Sequence, residues 1–196
     1  MRIVDKDVVE LENLNRQMLH WTEDLGKAKI DSAADKLGRS NPECRIEALK
    51  EEVRGGNASD LIGDSTVILD GTDNLETRKL LNRVSVEKGV PFVFGGVEGL
   101  DGMVSTLVPG RSPCLECLFP GPAPRERTPG ILGPLPGLVA SIQSLEALKV
   151  ILGLDGLLEG RILYIRGLPM TFKEIAVERN PDCAVCHPPR GGSGDV

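Results

Sequence analysis

The sequence predicts an α/β fold, and three features carry that reading. Short aliphatic runs end in aspartate, as at Arg2–Val4 before Asp5 and Thr66–Leu69 before Asp70. Windows of helical apolar spacing lie between those runs, and the hydrophobic period switches repeatedly from one kind to the other. Strands alternating with helices imply a mostly parallel sheet with helices on both faces and ligands at the carboxyl ends of its strands.

The elements follow in order. After the first strand and a polar loop, KAKIDSAADKL places Ala28, Ile30, Ala33, Ala34 and Leu37 on one stripe of an amphipathic helix. Arg45–Leu49 alternates like a half-buried strand, Ser59–Ile62 suits a short helix, and Thr66–Leu69 is a buried strand. Asn74–Lys88 carries a helical pattern that Gly89 stops before the strand Pro91–Phe94. Val104–Val108 is strand-like, and the six prolines and three glycines of Phe119–Pro136 predict a long crossover loop. A second helix over Leu138–Leu152 ends at Gly153, and Arg161–Ile165 with Thr171–Val177 forms a closing β pair. The last segment, 188–196, reads as a disordered tail after a single domain over residues 1–187.

Composition narrows the function. Aromatic residues make up 3% against 40% hydrophobic overall, so the core must be aliphatic. A net charge of -6 leaves no broad basic face, which argues against nucleic-acid partners. The most apolar stretch, Ile131–Gly153, is interrupted by Pro134, Pro136, Gln143, Glu146 and Lys149, so no membrane span is expected. No apolar leader opens the sequence, and a cytoplasmic location is expected.

Two CxxC knuckles, Cys114–Cys117 and Cys183–Cys186, give the strongest chemical signal. Four thiolates suit a closed tetrahedral Zn²⁺ site, structural because no coordination position stays open. Redox dithiols and unliganded cysteines are the competing readings, and His187 is a bystander beside Cys186. A second cluster runs from Asp5-Lys-Asp7 through Asn13, Arg16 and Gln17 to Lys29. Carboxylates at a strand end suit ribose hydroxyls, and converging Asn, Arg and Lys suit a polyphosphate; singly, each reads as a solvated charge. The third cluster is Asp70-Gly-Thr-Asp73-Asn74. A carboxylate there could hold Mg²⁺ between phosphates, and an Asp or Thr there could equally cap the helix that follows.

The string VDKDVVELENLNRQ resembles the DxDxVexsNLnRQ signature of the ubiquitin-activating (E1-like) superfamily, and specifically of its ThiF/MoeB/HesA-type adenylyltransferases of molybdopterin and thiamine biosynthesis. GTDN resembles that family's second signature, the knuckles match its zinc site, and GILGPLPGLVASIQSLEALKVILG looks like the helix after its crossover loop. The likeness runs from Arg2 to Cys186. It implies a Rossmann-like sheet with Asp5 on the ribose, Asn13, Arg16 and Lys29 on the phosphates of ATP, and Asp73 on Mg²⁺. Arg16, Lys29 and Asp73 are then the catalytic residues. The implied reaction is adenylation of the C-terminal glycine of a small ubiquitin-like sulfur-carrier protein, by a homodimer.

In that family a strand, a GxGGxGS loop and a helix precede the DxD strand, and this sequence opens at the DxD strand. Two readings follow: an adenylating enzyme, or a zinc-stabilised non-enzymatic scaffold or fragment that binds a ubiquitin-like or E1-like partner. A nicotinamide-dependent oxidoreductase ranks below both, for it gives no reason for the zinc thiolates. Some relatives use a crossover-loop cysteine for covalent transfer; none lies between Leu118 and Asp182, and Cys44 reads as a small buried residue. Adenylation without covalent transfer is therefore expected. Arg125 and Arg127 read as solvated loop arginines.

Overall fold

The structure, a computed structural model, describes residues 1–122 and 130–187. The expected tail at 188–196 and the loop arginines Arg125 and Arg127 lie outside the described residues. The chain divides into two compact units, Met1–Leu61 and Ile62–Val196.

In the first unit β1 (Arg2–Val4) pairs in parallel with β2 (Glu47–Leu49), in the register Arg2↔Glu47, Ile3↔Ala48 and Val4↔Leu49. Parallel partners need a crossover, and α1 (Lys29–Ser40) supplies it, burying Ile30 and Ser32. Its charges complement the helix dipole, with Asp31 in the first turn and Arg39 in the last. The long loop before α1 is closed at its base by an antiparallel bridge between Val8 and Ala28. Arg2 ties the β1–β2 pair to the short helix α2 (Ala58–Ile62), donating to Glu47 Oε2 at 3.0 Å and to Leu61 O at 2.7 Å.

The second unit is a five-stranded sheet in the order β3 (Ile68–Leu69), β4 (Phe92–Glu98), β5 (Asp101–Leu107), β6 (Arg161–Arg166) and β7 (Thr171–Ala176). The sheet is mixed, which corrects the mostly parallel one expected: β3 and β4 are parallel and every later pair is antiparallel. The parallel pair β3 and β4 is joined by the crossover helix α3 (Leu75–Lys88), β4 returns antiparallel into β5 through a tight turn with Gly99 at φ 59°, and β6 lies antiparallel beside β5 although two helical segments, Leu115–Leu118 and Pro134–Leu152, come between them in the chain. The expected closing β pair is β6 and β7, and it continues this sheet.

Helix α3 stops at Gly89 as its sequence predicts, and Asn74 caps its start. Asn74 Oδ1 accepts from Thr77 N–H at 2.8 Å, and Gly89 takes the left-handed C-cap at φ 71°. Helix α5 (Pro134–Leu152) begins earlier than expected because Pro134 suits a first turn that lacks donor partners anyway. By length and composition α5 could cross a membrane. Here its Leu135, Val139 and Ala147 face packs with Val93, Val104 and Ile165 in the core of this unit. A one-turn helix, α4 (Leu115–Leu118), carries one cysteine knuckle.

Two glycines let α5 and α3 approach opposite faces of β4. A Cβ built on Gly95 would lie 2.3 Å from Gln143 Cδ of α5, and one on Gly96 would meet Phe94 at 3.1 Å and Arg78 of α3 at 3.7 Å. Glu146, on the buried side of α5, is only 1% exposed. Its carboxylate accepts from the Thr106 hydroxyl, from Leu158 N–H at 2.7 Å and from Lys149 Nζ, so the buried charge is both paired and hydrogen-bonded. The Gly95 contact leads to a direct test. Gly95→Ala should overpack the α5–β4 seam and lower unfolding free energy by ~1–3 kcal/mol, read by urea denaturation; an unchanged midpoint would show that Gln143 swings aside freely.

Candidate functional site

Strand ends in both units present carboxylates. In the first unit the Val8–Ala28 bridge brings Asp7 back to α1, whose first residue is Lys29. Lys29 Nζ donates to Asp7 Oδ2 at 3.2 Å, and Asp7 N–H donates to Asp5 Oδ1 at 2.8 Å, so Asp7 links the two expected site residues. Asp5 is half-buried, and the Lys29 side chain is 13% exposed. Asn13 is buried in a 3-10 turn, where its Oδ1 accepts from Glu10 N–H at 3.0 Å. Arg16 follows directly, with its guanidinium donating to Glu12 O at 2.8 Å and Asn15 Oδ1 at 3.0 Å. Those partners are carbonyl oxygens, so the positive charge of Arg16 stays uncompensated by any carboxylate among the described residues.

One buried carboxylate holds this loop against α1. Asp24 accepts from Trp21 N–H at 2.8 Å, Lys27 Nζ at 3.1 Å and Lys36 Nζ, while the Lys36 ammonium also sits 4.3 Å from the centre of the Trp21 ring. The Lys36 ammonium, with the Trp21 and Lys27 donors, holds the Asp24 carboxyl well below the usual carboxylate range. The loop carrying Asn13 and Arg16 is thereby anchored to the helix that begins with Lys29.

In the second unit the carboxyl end of β3 turns into α3 through Asp70-Gly-Thr-Asp73-Asn74. The cap is Asn74, which corrects the expectation that Asp or Thr would cap α3. Asp73 is exposed, and its carboxylate accepts only from Asn74 Nδ2, at 3.3 Å, among the described residues. Asp70 has the opposite fate. Its side chain is fully buried, Oδ1 accepts from Thr72 N–H at 3.0 Å and the Thr72 hydroxyl at 2.8 Å, and Oδ2 lies 2.9 Å from Arg78 Nε. Neither Oδ2 nor Nε has an aligned hydrogen-bond partner, so that last contact is ionic rather than directed. Burial pushes the Asp70 carboxyl above its usual range, against the pull of Arg78 and the Thr72 donors.

Arg78, which no motif in the sequence marks, supports this turn. Its guanidinium donates to Thr72 O and, at 3.1 Å, to Gly95 O, and lies 5.5 Å from the centre of the Phe94 ring. Gln143 was likewise noted only as a polar interruption. Its Nε2 donates to Asp70 O at 2.9 Å and Val93 O at 3.1 Å, joining β3, β4 and α5. An Arg about two helical turns after a strand-end Asp, with a glycine pair in the next strand, was the available signal.

The four knuckle cysteines converge. Sulfur separations are 3.6 Å for Cys114–Cys183, 3.5 Å for Cys117–Cys186 and 3.9 Å for Cys114–Cys117, with all four sulfurs within 4.8 Å of one another. A disulfide needs ~2.05 Å. Four sulfurs at ~2.3 Å from a tetrahedral metal stand ~3.8 Å apart, so the cluster could hold a metal ion. Burial raises the Cys183 thiol, but N–H groups of Cys186 and Val185 and the facing thiols outweigh it and bring it to about 7. Burial pushes the Cys114 and Cys186 thiols up. His187 stands outside the cluster, with Nδ1 3.8 Å from Cys186 Sγ.

Helix α3 also supports the first knuckle. Asn82, 1% exposed, accepts from Leu115 N–H at 2.8 Å, and Lys79 pairs with Glu116 at 3.0 Å between the two cysteines.

Comparison with known proteins gives one consistent result. The sequence profile of the ThiF family matches residues 1–185. The chain is 41% identical over 189 residues to the SAMP-activating enzyme E1 of Haloferax volcanii, covering 94% of this chain and 70% of that protein. It is 39% identical over 194 residues to the sulfur carrier protein adenylyltransferase of Thermus thermophilus, covering 94% and 72%. It is 36% identical over 190 residues to the adenylyltransferase and sulfurtransferase MOCS3 of Culex quinquefasciatus, covering 94% of this chain and 43% of the relative. Among solved structures, E. coli MccB with MccA-N7isoASN superposes with a TM-score of 0.85 at 19% identity, over 95% of this chain and 59% of MccB. At that identity the likeness is one of fold.

The sulfur cluster is open to measurement. The protein should carry one thiophilic metal ion per chain by elemental analysis, and Cys183→Ser should abolish the occupancy. Acidification should release the ion, because the ligands bind as thiolates and protons compete for them. Folded protein that stays metal-free after incubation with zinc would contradict the assignment.

Proposed function

Because the chain belongs to the ThiF family, we propose that it adenylates the C-terminal glycine of a small ubiquitin-like sulfur-carrier protein. The observation that carries this reading is Asp73: a strand-end carboxylate that is exposed, released from capping by Asn74 and matched by no protein cation among the described residues. Such a group suits a divalent ion placed between phosphates. In this reading Asp73 holds Mg²⁺, Asp5 accepts from the ribose hydroxyls of ATP, and Asn13, Arg16 and Lys29 meet its phosphates.

The chemistry asks little covalent work of the protein. The carrier's glycine carboxylate attacks the α-phosphorus, a new P–O bond forms, and the bond to the bridging oxygen of the β-phosphate breaks. The electron pair leaves with pyrophosphate, and an acyl-adenylate remains. No proton transfer is required, so positioning and charge stabilisation by Arg16, Lys29 and the Asp73-held cation suffice. The absence of a cysteine between Leu118 and Asp182 supports adenylation without thioester transfer. The names of the archaeal and bacterial relatives point to the same substrate class. We assign Zn²⁺ to the four-cysteine cluster as a structural ion, since four thiolates leave it no open position. Association as a homodimer and a cytoplasmic location complete the proposal.

Carrier-dependent exchange of labelled pyrophosphate into ATP tests it. Asp73→Asn should lower the exchange rate ~100-fold or more, with metal content and melting behaviour unchanged. A folded, metal-loaded parent protein with no exchange above the carrier-free background would sink the enzymatic reading and leave a partner-binding scaffold.

A further inference from the structure

We infer that Arg78 and Asp70 are positioning residues that hold Asp73 in place for the nucleotide-bound cation. The inference rests on the reading of Asp73 given above and extends it to two side chains with no direct role in that chemistry. Asp73 sits on the turn from β3 into α3, and an exposed turn residue ordinarily samples several conformations. Here the peptide groups on both sides of it are fixed. Thr72 N–H donates to Asp70 Oδ1 at 3.0 Å, and Thr72 O accepts from Arg78 Nη2. On the other side Asn74 is immobilised as the N-cap, with Oδ1 2.8 Å from Thr77 N.

The two anchors are themselves rigidly seated. Arg78 reaches across to Gly95 O at 3.1 Å, and its guanidinium carbon lies 5.5 Å from the centre of the Phe94 ring, whose centroid is 5.5 Å from that of Phe119. Asp70 is held at its own carbonyl by Gln143 Nε2 at 2.9 Å. The guanidinium therefore bridges the turn to β4, while the buried carboxylate balances its charge through the 2.9 Å ionic contact. Neither group faces solvent as Asp73 does, so neither is placed to touch nucleotide or metal. Their effect on the reaction passes through the orientation of Asp73.

Four variants separate the possibilities: Arg78→Met, Asp70→Asn combined with Arg78→Met, Arg78→Lys, and Asp73→Asn. Methionine keeps the apolar stem and removes both carbonyl contacts. Asn at position 70 relieves the buried charge that the single Arg78→Met variant would strand, and its side-chain carbonyl can still accept from Thr72. Pyrophosphate exchange is measured against ATP and against Mg²⁺ concentration, with melting as a control. The double variant should fold, lose ~10–100-fold in kcat and require several-fold more Mg²⁺, with KM for ATP little changed. Arg78→Lys, which restores charge without the fork, should fall between parent and double variant. Parent-level kcat and Mg²⁺ dependence in the double variant overturn the inference, even if Arg78→Met alone fails to fold. If Asp73→Asn itself leaves exchange untouched, the reading of Asp73 fails instead, and the two failures are distinct.

Discussion

The second unit depends on the amide of Gln143, buried between α5 and the parallel strands. Its Nε2 donates to Asp70 O and Val93 O, one carbonyl on each side of the β3–β4 pair. β3 is two residues long and could hardly hold its own register with so few ladder bonds. The amide from α5 fixes it to β4 from the sheet's face. That contact sets two other residues and one helix: Gly95 must lack a Cβ, Asp70 must end the strand where its carbonyl meets the amide, and α5 must lie close enough to bury Gln143. Apolar packing by Val139 and Ala147 draws the helix in, and the polar contact decides where along the sheet it stops.

Helix α3 transmits this arrangement along its length. Asn74 caps it, Arg78 reaches the strand-end turn, and Lys79 and Asn82 hold the Cys114–Cys117 knuckle through Glu116 and Leu115 N–H. One rigid element thus carries the supports of both the carboxylate turn and the sulfur cluster. A metal ion in the cluster would tie the segment around Cys183 to α4, and α4 is fastened to α3. Its contribution is then to fix an element that also bears Arg78, besides closing the chain.

Much of this was legible in the sequence where the cause is local. Gly89 announces the end of α3, the CxxC spacing announces the sulfur cluster, and strands ending in Asp mark the right turns. What stayed hidden has a tertiary cause. The strand expected over Pro91–Phe94 runs on through Gly95 and Gly96 to Glu98, and Gly95 lacks the Cβ whose place Gln143 fills. The sense of the sheet was misjudged because strand composition does not distinguish a crossover from a tight turn at Gly99. Asp70 is legible as a strand end, but its pairing with Arg78 is not, because that pairing is made by the path of the backbone rather than by periodicity.

Comparing the two strand ends shows why similar sequences leave different groups available. Asp5 and Asp70 each close the same small turn, accepting at Oδ1 from the N–H two residues on, at 2.8 Å and 3.0 Å. At Asp70 burial then removes the remaining lone pairs from solvent, and Arg78 supplies the compensating charge, so the carboxylate is structural and the exposed role falls to Asp73. At Asp5 no cation is paired with the carboxylate among the described residues; Lys29 is engaged by Asp7 instead. Asp5 therefore keeps an oxygen free to accept from a ligand hydroxyl, while Asp7 restrains the nearest ammonium. A strand-end carboxylate stays available only where the fold withholds its counter-ion, and among the described residues the fold withholds it at Asp5 and Asp73 and grants it at Asp70.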